Sequence, residues 1–117
     1  MNAAPMSFPP RIVAFAKKIE DLGGCTFVTG GAVRDHLLGI ESKDIDLEVH
    51  DITPDTLEAI IHNFPPAKEV GRQFGVWKLL PRFEEEQEVD IAIPQVDGKP
   101  APHVGIHAAF NQVMILR

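Results

Sequence analysis

The chain has 117 residues, 44% of them hydrophobic and 24% charged, and its 17 acidic and 11 basic side chains give a formal charge of −6. These values describe one folded domain and exclude wholesale disorder or a two-lobed enzyme. The acidity argues against unaided nucleic-acid binding, which draws on Lys and Arg to neutralise phosphate, and the lone Cys25 excludes an intramolecular disulfide framework or a cysteine-rich zinc site. No apolar run approaches the roughly 20 residues of a membrane span, and the first ten residues lack the charge and apolar pattern of a secretion signal. The expectation is a cytoplasmic protein with no membrane partner.

In chain order, Pro9 and Pro10 can open a helix, and Ile12, Val13, Ala16, Ile19 and Leu22 recur at helical spacing until Gly23 and Gly24 stop it. Residues 25–29 are too few for a helix between glycines and read as a buried strand. Gly30 and Gly31 turn the chain, and residues 32–38 form a short predicted helix ending at Gly39. Residues 44–50 alternate, which places Asp44, Asp46 and Glu48 on one strand face and Ile45, Leu47 and Val49 on the other.

Thr53, followed by Pro54 and Asp55, signals a helix start, with Leu57, Ile60, Ile61 and Phe64 on its apolar side and Pro65-Pro66 as its stop. Strands are predicted over residues 68–70, 76–80 and 88–93, the last with Val89, Ile91 and Ile93 opposite Asp90 and Ala92. Residues 94–105, with two glycines and three prolines, read as a loop. Residues 106–117 fit either a helix or a strand. They end in the apolar run Val113-Met114-Ile115-Leu116, which suggests a continuing chain or a tail packed on another body.

A strand, a Gly-Gly turn and a helix together present backbone N–H groups at a positive helix end, which suits a phosphate, and Arg34 in the first turn adds a fixed charge. A lone Gly-Gly pair is more simply a tight turn. Asp44 and Asp46 project from one strand face about 7 Å apart, and such neighbouring anions favour a hard, oxygen-seeking cation. A calcium loop is excluded, because Val49 stands where glycine is needed and Asp55 where a bidentate Glu is required. Asp90 is a third acid on a strand of the same pattern, and adjacency of the two strands would bring three carboxylates together for phosphoryl transfer.

Other chemistry-bearing residues have plainer readings. Glu84, Glu85, Glu86 and Glu88 read as a solubilising surface run. His103 and His107 have metal-pair spacing, but Gly105 and nearby prolines spoil the helix. Trp77 reads as core rather than a base-stacking platform.

Taken together, Val28-Thr29-Gly30-Gly31-Ala32-Val33-Arg34-Asp35-His36-Leu37-Leu38-Gly39 followed by Lys43-Asp44-Ile45-Asp46-Leu47 resembles the signature of the class II CCA-adding enzyme and bacterial poly(A) polymerase family. Val70-Gly71-Arg72-Gln73-Phe74-Gly75-Val76 resembles its connecting segment, and Glu88-Val89-Asp90-Ile91-Ala92 the strand carrying its third acid. The resemblance covers residues 9–94 and leaves 95–117 as a tail of unassigned structure. It implies an α/β (α+β) fold, a polymerase-beta-like nucleotidyltransferase head with a small mixed sheet backed by helices.

The same resemblance implies that Asp44, Asp46 and Asp90 form the catalytic and Mg²⁺-binding set, Asp90 assisting deprotonation of an RNA 3′-hydroxyl. Gly30, Gly31, Arg34 and Lys43 would face the nucleotide. The implied reaction transfers a nucleoside monophosphate from ATP or CTP to an RNA 3′ end, that of tRNA in particular. The family's Arg-Arg-Asp motif and its neck, body and tail domains have no counterpart here, so the expectation is a single head domain over residues 1–117. Transfer to a protein or small molecule, or nucleotide binding without turnover, are the alternatives, and residues 106–117 are a candidate self-association segment.

Overall fold

The computed structural model describes residues 8–29, 44–71, 75–84, 86–96, 99–100 and 113–116. Helix α1 (Pro10–Asp21) begins with proline at its first turn, where the missing N–H costs nothing. It buries Arg11, Ile12, Phe15, Ala16 and Ile19, while Val13 is 40% and Leu22 49% exposed. The predicted apolar stripe therefore included two residues off the true face and missed Phe15. The helix ends as expected: Gly23 takes φ +91°, and Gly24 N–H donates to Ile19 O at 2.9 Å. Gly24 lies so close to His50 O and the Ile19 and Ile52 side chains that a Cβ there would collide with all three.

Strand β1 (Cys25–Thr29) and strand β2 (Asp44–His50) pair antiparallel, with Thr29 opposite Asp46 and Cys25 opposite His50. Helix α2 (Pro54–Ile61) is capped by Thr53, whose hydroxyl accepts from Thr56 N–H at 3.3 Å, and it buries Leu57, Ile60 and Ile61. It stops one turn short of Phe64, which still packs partly buried on the core and meets Phe15 in a T-shaped contact with ring centroids 5.6 Å apart. Strands β3 (Ala67–Gly71), β4 (Val76–Leu79) and β5 (Glu88–Ala92) follow.

The stretch expected as a loop instead carries a small ribbon of β6 (Gln95–Val96) and β7 (Lys99–Pro100). Residues 113–116, left open between helix and strand, form β8 (Val113–Leu116), antiparallel to β1 within the same chain. The main sheet thus has the order β3-β4-β5-β2-β1-β8, with the β5–β2 pair parallel and the other pairs antiparallel. The helix predicted over 32–38 lies outside the described residues.

Alternation decides which face of the sheet meets the helices. Val28, Ile45, Leu47, Val49, Trp77, Leu79, Val89 and Ile91 are buried in one cluster with Ile12, Phe15, Ile19, Leu57, Ile60 and Ile61. Trp77 is therefore a core residue, and its indole N–H is buried without a hydrogen-bond partner among the described residues. The opposite face of β2 and β5 takes the acids.

The acidic run after β4 is not all surface. Arg11, only 7% exposed, donates through Nη1 to Leu80 O at 2.7 Å and Glu86 Oε1 at 3.1 Å, and through Nη2 to Phe64 O at 2.7 Å and Pro66 O at 3.1 Å. The Glu86 side chain is 5% exposed and is gripped by Arg82, whose backbone N–H and Nε lie 2.9 Å from Oε1. The solubilising reading fails for Glu86 because two arginines four and 75 positions away fold onto it. Spacing alone does not announce the longer of those contacts.

Hydrogen bonds from Arg82, outweighing the cost of burial, hold the Glu86 carboxyl down at about 2, from an ordinary value of 4.5. A carboxyl lowered on folding stabilises the native state above its unfolded value and loses that contribution as pH falls towards its folded value. The window is therefore pH 4.5 down to about 2. Solvent around half-exposed Arg82 screens the interaction and keeps its contribution modest. In a melting series across this window, the wild type should lose stability more steeply than Glu86→Gln; parallel pH profiles would refute the assignment.

Candidate active site

Strands β2 and β5 are far apart in sequence and adjacent in space. The chain leaves β2, forms α2, β3 and β4, and returns to lay β5 parallel beside β2. The register sets Asp46 opposite Asp90 and Asp44 opposite Glu88. Neighbouring strands lie about 4.8 Å apart. With Ile45, Leu47, Val89 and Ile91 committed to the core, the residues between them belong to the other face. The expected approach of the third acid to the Asp-x-Asp strand is thus present, as a direct pairing of Asp46 with Asp90.

Sequence reasoning missed the basic partner. Lys78 on β4 is in register with Asp90, and its Nζ lies 2.9 Å from Glu88 Oε1 and 3.3 Å from Asp90 Oδ1. The three side chains are partly exposed, at 29%, 38% and 43% for Lys78, Glu88 and Asp90. Hydrogen bonding to Glu88, then to Asp90, holds the lysine above its ordinary range. Its alternation with Trp77 and Leu79 was a usable signal for the face it shares, but the adjacency of β4 and β5 was not readable.

The far end of β2 is closed by a second polar pair. Buried His50 Nε2 lies 2.7 Å from Glu48 Oε1, and the imidazole meets Phe27 in a T-shaped contact at 5.1 Å. On the β1 side, the Thr29 hydroxyl donates a long 3.5 Å bond to Asp46 O.

Asp44 is placed by its backbone in β2, Asp46 and Asp90 are paired in register, and Gly30, Gly31, Arg34 and Lys43 lie outside the described residues. His103 and His107 also lie outside them. Among the described residues, no three His, Cys, Asp and Glu side chains are gathered to hold a metal ion. The Asp44 side chain is not one of those described. The donor chemistry nevertheless fits a hard cation, since adjacent strands contribute only carboxylate oxygens at the pairing of Asp46 with Asp90. Among the described residues no helix is long and apolar enough to cross a membrane.

Against this geometry, comparison with known proteins is decisive: the poly A polymerase head domain profile matches residues 26–112, which include both acidic strands. The chain belongs to the poly A polymerase head domain family. It is 48% identical over 61 residues to the multifunctional CCA protein of Azoarcus sp. (strain BH72), covering 52% of this chain and 13% of that protein.

Among solved structures, this poly A polymerase head resembles a CCA-adding enzyme in complex with ATP, with a TM-score of 0.61 and 27% identity over 77% of this chain and 22% of the other. It also resembles the Thermotoga maritima CCA-adding enzyme complexed with tRNA, with a TM-score of 0.58 and 29% identity over 73% of this chain and 21% of the other. The predicted nucleotidyltransferase-head fold is therefore confirmed. The chain spans about an eighth of the Azoarcus relative and about a fifth of each structure.

Proposed function

We propose that this head transfers a nucleoside monophosphate from ATP or CTP to the 3′-hydroxyl of an RNA, tRNA being the favoured acceptor, in a cytoplasmic setting. The observation that carries the reading is the parallel register of β2 and β5, which sets Asp46 beside Asp90 on the sheet face away from the helices. The structural relatives bound to ATP and to tRNA support the substrate classes.

In this reading Asp44, Asp46 and Asp90 hold Mg²⁺, which when bound supplies charge neutralisation for the triphosphate and the leaving pyrophosphate. The chain's own residues do the positioning. Asp90 receives or orients the proton of the attacking hydroxyl, while the rigid pairing of β2 with β5 fixes the distance between the carboxylates. Gly30, Gly31, Arg34 and Lys43 bind the triphosphate. The hydroxyl oxygen bonds to the α-phosphorus as the bond to the β-bridging oxygen breaks, and pyrophosphate departs.

The test is incorporation of labelled ATP or CTP into a tRNA lacking its 3′ terminus, in Mg²⁺, by the wild-type chain and by Asp44→Ala and Asp46→Ala. Label on the RNA 3′ end that disappears in both variants is expected. Equal signal in the variants would sink the proposal, as would label found on a protein or small-molecule acceptor instead of RNA.

A further inference from the structure

Lys78 already seats a cation on the acidic face. Its ammonium bridges Glu88 and Asp90 at 2.9 and 3.3 Å, and the Asp90 contact is made through Oδ1. Asp90 is also the residue in register with Asp46 across β2 and β5. Asp90 therefore stands between two claims: the lysine from β4 and whatever positive charge Asp46 helps to hold from β2. The seat is built into the sheet, because Trp77 and Leu79 anchor β4 in the core on either side of Lys78 and leave the lysine only the opposite face.

We propose that Lys78 is a positioning residue that acts as a tethered competitor for divalent cation at Asp90. It holds one oxygen of each carboxylate and offsets half the charge of the Glu88–Asp90 pair while no divalent ion is bound. A divalent ion engaging Asp46 and Asp90 meets the repulsion of the ammonium beside Asp90 Oδ1. The proposal rests on the reading of Asp46 and Asp90 as cation-binding residues. It predicts weaker capture of free divalent cation than the acids alone would give.

The size of the effect is bounded by exposure: ion pairs this open to solvent change an equilibrium constant by at most about fivefold. Mn²⁺ is the probe, its binding read by electron paramagnetic resonance of free Mn²⁺ and by the rise in melting temperature on Mn²⁺ addition. Lys78→Met and Lys78→Gln should both bind Mn²⁺ about two- to fivefold more tightly than wild type and show the larger melting shift. Lys78→Arg, which keeps the charge, should remain near wild type. Adding Asp90→Asn to Lys78→Met should remove the gain.

Wild-type binding that is lost in Asp46→Asn but unchanged or weakened in both neutral Lys78 variants would overturn the competitor role alone. Mn²⁺ binding indifferent to Asp46→Asn, or absent from wild type and the Lys78 variants alike, would overturn the cation reading and this proposal with it.

Discussion

Replacing Arg11 with methionine should cost the folded chain about 3–5 kcal/mol, a large part of the 5–15 kcal/mol that holds a domain of this size together. The guanidinium is buried and joins three parts of the chain: the start of α1, the turn after α2 through Phe64 O and Pro66 O, and the end of β4 through Leu80 O. Methionine fills similar space but supplies no donor. Pro66 O would keep the Leu80 N–H bond at 2.8 Å, whereas Phe64 O and Leu80 O would lose the arginine donor.

Glu86 would also lose one of its two arginine partners in a nearly closed site. Leaving buried polar groups unpaired, rather than losing the net worth of the ion pair, is what makes the change severe. Urea unfolding should show a lower midpoint with an unchanged slope. Arg11→Lys should recover only part of the loss, because an ammonium cannot reach all four acceptors in the planar geometry of the fork. A midpoint shift under about 1 kcal/mol in Arg11→Met would show that the loops re-satisfy their carbonyls without it.

Asp46→Ala and Asp90→Ala should each lower kcat/KM for nucleotide incorporation by at least about a hundredfold, and the double variant should be little worse than the poorer single one. The register makes the two carboxylates one unit, since they sit opposite each other on paired strands. Once either is gone, the other cannot hold the shared charge in place, so the second deletion has little left to remove. Circular dichroism should be unchanged in all three variants, because these side chains lie on the face opposite the core. Multiplying effects in the double variant would mean that the two acids act independently.

Much of this arrangement was readable from residue order, and the limits have a common physical cause. Local patterns are sufficient for β1, β2, β5 and the starts of α1 and α2, because period-two alternation, proline at a first turn and a Thr cap act over a few residues. The pairing of β2 with β5 was legible only as a condition, since parallel strands are joined by long crossovers whose sequence does not state the register. The Lys78 contacts and the Arg11 contact of Glu86 escape a local reading for the same reason, since those partners come from other elements, whereas Arg82 lies only four positions from Glu86. Val13 is apolar and so reads as core, although Ile12, Phe15, Ala16 and Ile19 already complete a stripe that leaves it outside. Residues 113–116 could not be assigned because a four-residue apolar run is a strand only when a partner is waiting for it.

That partner is β1, and the pairing has a consequence for solubility. With β8 in place, both sides of β1 are hydrogen-bonded, one to β2 and one to β8. Without it, the backbone donors and acceptors along Thr26, Phe27, Val28 and Thr29 would become an open edge, a template for any other extended chain. β8 thus shields the strand carrying the residues just before the Gly-Gly turn, and among the described residues it moves the open border of the sheet from β1 to β8 itself.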